Sequence, residues 1–180
     1  MKKGLILLLA VIVLIAGSQF IRARHRLTAA RADVDAAWVR VNDALEHRAS
    51  AVTDLVEFMS SGIPQESNAT RALSDARSAL LAAHGSEQRI RANQQLDFAL
   101  AGLLLTAEKY PKLERGKHFS EVVDLLKEAE YRIAVERRKY NEAVEHYNME
   151  IALFPNNVVA HLSGFRKIDV YFQTPVDPPR

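Results

Sequence analysis

From Val34 to Met59 the chain repeats one spacing without interruption. Val34, Trp38, Val41, Leu45, Arg48, Val52, Leu55 and Met59 follow alternating steps of four and three. That spacing places all eight on one side of an α-helix, as in a coiled coil. A helix with such a stripe is marginal alone and needs other elements to cover it. Three further segments repeat the pattern. The second carries Ala69, Leu73, Ala76, Leu80 and Ala83, a seam of mostly small side chains. The third carries Asn93, Leu96, Leu100, Leu103, Ala107 and Tyr110. The fourth carries Val122, Leu126, Ala129, Ile133, Tyr140, Val144, Tyr147, Ile151 and Phe154. It has one gap, at Glu136 and Arg137, where an extra residue shifts the phase and locally unwinds a supercoil.

Breaks between the seams fall at residues suited to helix ends. Ser60-Ser61-Gly62 stops the first, and Pro64 fits the first position of the next, with Glu66 in its first turn. Gly85 suits a helix C-terminus and Ser86 an N-cap. Pro111 ends the third helix, Ser120 caps the fourth, and Pro155 ends it. The expected architecture is all-α: an antiparallel bundle of about four helices over residues 27–155. A three-helix bundle, with the Gly85 region only a kink, is the alternative. An even count returns the last helix to the beginning of the first, whereas an odd count leaves it at the far tip. The composition suits long helices: 48% of residues are apolar, enough for a core, and only seven Gly and six Pro serve turns.

Ahead of the bundle, a flank over residues 1–3 with Lys2 and Lys3 precedes an apolar stretch over residues 4–21, broken only by Gly17, Ser18 and Gln19. Eighteen residues at helical rise span roughly 27 Å, enough to cross a bilayer core. A cleaved signal peptide is the competing reading, because Ala16-Gly17-Ser18 resembles a small-residue cleavage site. Arg22, Arg24 and Arg26 follow at once and resist export, which favours a retained single-pass anchor. With Arg31 they outnumber the basic groups at the N-terminal flank, so the expected orientation is an outside N-terminus and a cytoplasmic body at the inner membrane. The net charge of +2 sets up no bulk field toward nucleic acid. The absence of cysteine excludes disulfides, thiolate metal sites, cysteine nucleophiles and a lipidated cysteine.

Arg48 is the one charge in the first seam, and a buried cation needs an acid. Glu130 is the first candidate partner, followed by Glu136 and Glu108. The pairing forms either an internal ion-pair layer or, if the side chain snorkels to solvent, a seam edge. Tyr140-Asn141 and Tyr147-Asn148 stand seven residues apart and face one way. Arg137, Asn141, Val144 and Asn148 make a largely polar stripe beside the apolar one. It either fixes helix alignment, as a coiled-coil Asn does, or holds a peptide or partner helix by side-chain hydrogen bonds. Arg48, Glu130, Arg137, Asn141 and Asn148 are thus the candidate structural network. Tyr140, Tyr147, Phe165, Tyr171 and Phe172 are the candidate partner surface.

The tail over residues 156–180 differs from the bundle. Its Phe165, Tyr171 and Phe172 either pack back on the bundle or enter the lipid interface. Pro175 to Pro178 is a weak P-x-x-P pattern, and the last six residues are expected to be disordered. The chain contains no H-E-x-x-H, P-loop, G-x-S-x-G or G-x-G-x-x-G. No histidine has Glu three residues before it, as a di-iron bundle requires. Glu142 and His146 are a single i,i+4 pair, and the basic loop from Lys109 to His118 is interleaved with Glu108 and Glu114. No metal, cofactor, small-molecule substrate or catalytic residue is expected.

Two stretches resemble the LemA family. Ala37-Trp38, His47-Arg48-Ala49-Ser50 and Asp54-Leu55-Val56 resemble its first-helix signature. Glu130-Tyr131-Arg132-Ile133, Arg138, Tyr140-Asn141, Val144, Tyr147-Asn148, Phe154-Pro155, Asn157, Ala160 and Gly164-Phe165 resemble its last. Ala107 to Pro111 and Phe119 are similar to the family's middle region, and Tyr171-Phe172 to its terminal aromatic pair. The chain departs from the family's usual Arg-Arg-x-Asp-Leu-x-Pro-Asn-Leu-Val at His47, Ser50, Thr53 and Asp54, and carries Tyr131 in place of a usual Asn. The resemblance implies a small bacterial membrane protein with one N-terminal span, an outside N-terminus and an all-helical body, with no enzymatic activity or cofactor attached. Residues and resemblance together predict a non-catalytic scaffold or adaptor whose partners are the bilayer and a protein. A signalling or transport accessory, or a cleaved secreted binding domain, are the alternatives.

Overall fold

The computed structural model describes residues 2–62, 68–110 and 116–172. Among them the chain forms five helices and no strand: α1 (Lys2–Gly62), α2 (Asn68–Ala82), α3 (Gly85–Ala107), α4 (Lys117–Ala152) and α5 (Asn156–Ser163). The all-α class follows from the four seams, and the helices pack through them. The predicted roles of Pro64, Glu66 and Pro111, the P-x-x-P pattern and the expected terminal disorder lie outside the described residues.

The chain divides into two compact units. One comprises Met1–Ala37 and Lys139–Tyr171, the other Trp38–Arg138 and Phe172–Arg180. In α4 the division falls just after Glu136 and Arg137, where the seam changes phase.

In the unit built on Trp38–Arg138, four helical segments share one core. Val41, Leu45, Val52, Leu55 and Met59 of α1 are fully buried, as are Leu73 of α2, Leu96 and Leu103 of α3, and Ile133 of α4. Each such aliphatic side chain contributes about 2 kcal/mol through its removal from water. Cross-helix contacts set the directions. Arg40 meets Glu136, Arg48 meets Glu130, and Phe58 meets His118 and Phe119, so α4 runs antiparallel to α1. Arg89 reaches Glu46, and Arg48 reaches Asn93, so α3 runs parallel to α1. The weak small-residue seam of α2 buries Leu73, Ala76 and Leu80, and Arg77 Nε donates to the Ala49 carbonyl of α1 at 3.1 Å.

In the other unit the stripe on α1 continues upstream of Val34. Ala23, Leu27 and Ala30 are buried at the same steps of four and three, a part of the pattern that the apolar stretch before it conceals. Ala23 and Leu27 pack with Val159 and Ala160 of α5, beside Ile151 of α4 and Phe165. The last long helix therefore returns to the beginning of the first, as an even helix count requires. The three-helix alternative is excluded: Ala83 and His84 separate α2 from α3, which pack together as a hairpin.

Several ends differ in detail from expectation. His84, not Ser86, precedes α3 in an extended conformation, and the Gln88 side chain accepts its backbone N–H at 3.1 Å. Gly85 then turns the chain in the left-handed region at φ 76°. α4 begins at Lys117, so Ser120 lies in its first turn rather than at its cap. It ends at Ala152, two residues before Phe154. The first eight residues of the tail form α5, a helix that no seam announces. α5 closes on Gly164 at φ 76°, and the Phe165 N–H reaches the Ala160 carbonyl at 3.0 Å. This is a Schellman closure, with Phe165 packed over the same core.

Open space surrounds the Cβ position of Gly85, so a substitution there meets only the backbone penalty. Gly85→Ala is expected to lower the unfolding free energy by about 1 kcal/mol, the cost of an L-residue in the left-handed region. Urea melts followed by Trp38 fluorescence measure it, and an unchanged midpoint would show that this φ is not imposed by the fold.

Candidate functional site

Arg48 enters the core because its position in the stripe of α1 leaves no other direction. Only 4% of its surface is exposed. Nη1 donates to Asn93 Oδ1 at 2.8 Å and to Asp97 Oδ1 at 2.5 Å, both on α3. Nη2 stands 3.0 Å from Glu130 Oε2 on α4. That oxygen lies off the hydrogen-bond direction, so the contact with Glu130 is an ion pair rather than a directed bond. Asn93 is fully buried, and its Nδ2 also approaches Asp97 Oδ2 at 3.5 Å. Glu130 is the acid expected from the sequence. Asp97 and Asn93 were the missed partners, although Asn93 sits in the third seam as its one polar member. Glu136 pairs instead with Arg40 at 3.2 Å, and Glu108 is exposed at the end of α3, where its N–H bonds the Leu104 carbonyl. The arginine is internal and does not snorkel.

Both carboxylates are partly exposed, at the mouth of a hollow of ≈ 300 Å³ walled by Leu100, Leu104 and Leu126. Arg48 is thus one buried cation shared by two acids on two helices. The charge-assisted bonds to Asn93 and Asp97 are directional and fix how α1 and α3 align, while the ion pair with Glu130 draws α4 to the same level.

The polar stripe on α4 has a different fate. Asn148 clamps the backbone of Ile168: Nδ2 donates to its carbonyl at 2.8 Å, and Oδ1 accepts its N–H at 2.9 Å. Asn148 Nδ2 also donates to the Tyr171 hydroxyl at 2.7 Å, and the Tyr140 hydroxyl donates to the Val170 carbonyl at 3.2 Å. The segment after α5 is therefore held along α4 as an extended peptide. Asn141 is half-buried in the same unit. In the other unit, the Arg137 guanidinium lies 4.9 Å from the Phe172 ring centre, and Phe172 also stacks on Trp38 at 6.4 Å. Four of the five residues of the candidate network thus act in separate places: Arg48 with Glu130, Arg137 with Phe172, and Asn148 with the C-terminal segment.

The candidate partner surface requires correction. Tyr147 is 1% exposed, and Tyr140 and Phe172 are also buried. Their rings are large enough that the fold uses them as core, with Arg31 placed over the Tyr147 ring at 5.8 Å. Phe165 is half-buried against Leu27 and its neighbours, which leaves Tyr171 as the exposed member, its hydroxyl already bonded by Asn148. Glu142 and His146 are both exposed on α4.

Arg48→Ala is expected to cost about 3 kcal/mol, because it strands the buried Asn93 amide and separates two acids from their cation. Glu130→Gln leaves a partly exposed neutral group and is expected to cost about 1 kcal/mol or less. Denaturant melts of the full chain in detergent measure both, and equal losses would contradict the burial difference. Asn148→Ala should leave the midpoint within about 1 kcal/mol of the parent. It should also speed hydrogen exchange at the Ile168 amide, read by mass spectrometry against unchanged exchange in α3.

Parts of the sequence are shared with known proteins. A curated relative, magnetosome protein MamQ 2 of Paramagnetospirillum magneticum, is 35% identical over 88 residues, covering 46% of this chain and 32% of its own length. Magnetosome protein MamQ of Magnetospirillum gryphiswaldense is 27% identical over 77 residues, covering 43% of this chain and 28% of its own. The matched segments span about a third or less of these relatives. Within α1 the structure has a helix long and apolar enough to cross a membrane. The family model described as the LemA family matches residues 37–178, a span that includes Arg48, Glu130 and Asn148, and the chain belongs to that family as a membrane-associated, all-helical protein.

Proposed function

We propose that the protein is a single-pass bacterial membrane protein whose helical body serves as a non-catalytic scaffold or adaptor. The observation that carries this reading is the continuity of α1. Ile6 to Ile15 present large apolar side chains to the outside, and the same helix proceeds without a break to Ala23, Leu27, Ala30 and Val34, which are packed. Surface of the first kind suits lipid, and surface of the second kind suits a folded body. The basic cluster Arg22, Arg24, Arg26 and Arg31 follows the span and supports an outside N-terminus with the body in the cytoplasm at the inner membrane.

The polar groups singled out by sequence have structural employment: Arg48 aligns helices and Asn148 holds a segment. Presentation of a rigid helical surface to a protein partner is the role that this arrangement serves. The unbroken α1 also favours a second reading, a signalling or transport accessory in which a shift of the span is carried along the helix into the packed stripe.

Photo-crosslinking in intact cells from the exposed Phe98 position, followed by carbonate washing of membranes, tests both anchor and role. The expected outcome is a full-length chain in the washed pellet with a discrete protein adduct. Release of a chain shortened near Ala16-Gly17-Ser18 would show a cleaved, secreted domain and overturn the proposal.

A further inference from the structure

The second candidate membrane contact lies at the far end of the chain. α5 turns Asn156, Val159 and Ala160 inward, toward Ala23 and Leu27. Its remaining large apolar residues point outward: Val158 and Leu162 are one turn apart, and Leu162 is 69% exposed. The turn before α5 adds Leu153 and Phe154, the latter 82% exposed. An apolar surface of this kind is unfavourable in water at about 25 cal/mol per Å² and calls for a cover.

The position of the surface identifies that cover. A hollow of ≈ 440 Å³ joins Phe154, Pro155 and Val158 to Ala16, Gln19 and Phe20. These last three belong to the final turns of the apolar stretch of α1, so the exposed face of α5 is continuous with the lipid-facing surface of the span. Its rim is basic. Arg22, Arg24 and Arg26 are exposed where α1 leaves the apolar stretch, and Arg166 and Lys167 are exposed just beyond α5. An apolar face edged with cations, next to the end of a membrane span, matches the chemistry of the headgroup–acyl boundary of an anionic bilayer.

We propose that α5 and the turn before it lie in the lipid–water interface as a second membrane contact, with Phe154, Val158 and Leu162 in the acyl boundary. This deepens the membrane-anchored reading and rests on it. The contact adds interfacial area next to one span and restrains rotation of that span about its own axis.

The chain has no cysteine, so single Ile12→Cys, Val158→Cys, Leu162→Cys and Glu145→Cys variants of the full chain each carry one environment-sensitive fluorophore. They are reconstituted in vesicles of phosphatidylcholine and phosphatidylglycerol containing nitroxide-labelled lipid. The expected result is blue-shifted emission and strong lipid quenching at positions 12, 158 and 162, with neither at the exposed position 145. Quenching at 12 with none at 158 and 162 overturns the interfacial contact and leaves the anchor standing. No quenching at 12 overturns the anchor and the contact together. Blue-shifted but unquenched emission at 158 and 162 identifies a protein cover, such as a second copy, and overturns the lipid assignment.

Discussion

An apolar stripe along one helix has to be covered, and α1 carries such a stripe from Ala23 to Met59. In the unit built on Trp38–Arg138 the cover comes from α2, α3 and α4. In the other unit it comes from α4 and α5. Both α1 and α4 contribute to the two units, and α4 supplies its own stripe to each. The connections follow from this demand. The two-residue break at Ala83 and His84 is short enough to fold α3 back on α2, and the turn at Leu153 to Pro155 brings α5 onto Ala23 and Leu27.

Within that stripe Arg48 is the exception that adds alignment. Aliphatic seams tolerate sliding, because one leucine resembles the next. A guanidinium with Asn93 and Asp97 on α3 and Glu130 on α4 does not, because each helix must present its acceptor at the right level. The two acids lie toward the surface and the cation lies inside, so much of the desolvation burden falls on Arg48. Such a site contributes less to net stability than its short distances suggest and more to the choice of one register over its neighbours.

The repeat that holds Tyr140 and Asn148 resolves a choice between alignment and peptide recognition that the sequence leaves open. It binds an extended peptide by side-chain hydrogen bonds, and that peptide is the chain's own segment around Ile168 and Val170. Apart from the Tyr171 hydroxyl, the acceptors and donors on the far side are backbone groups. They carry no side-chain signature, so no pattern in the residues announces the contact. Of the two places that the sequence offers Tyr140 and Tyr147, the apolar seam and a partner surface, the fold takes the first: their ring area is core, and the Tyr140 hydroxyl is satisfied at its edge.

The sequence by itself determined the helices that carry the four seams, the breaks near Gly62, Gly85 and Pro155, the apolar stretch at the beginning and the need of Arg48 for an acid, with Glu130 the first of three candidates. These are local or periodic properties, and periodicity survives without knowledge of neighbours. Even the overlooked start of the stripe at Ala23 is visible as spacing once the apolar run is set aside. Tertiary structure alone decided that Asp97 and Asn93 join Arg48, that Asn148 holds Ile168, and that the outward face of α5 lies beside Phe20. Each of these depends on which faces meet after the chain turns back on itself. Spacing along one helix records which side is apolar but not what stands opposite it.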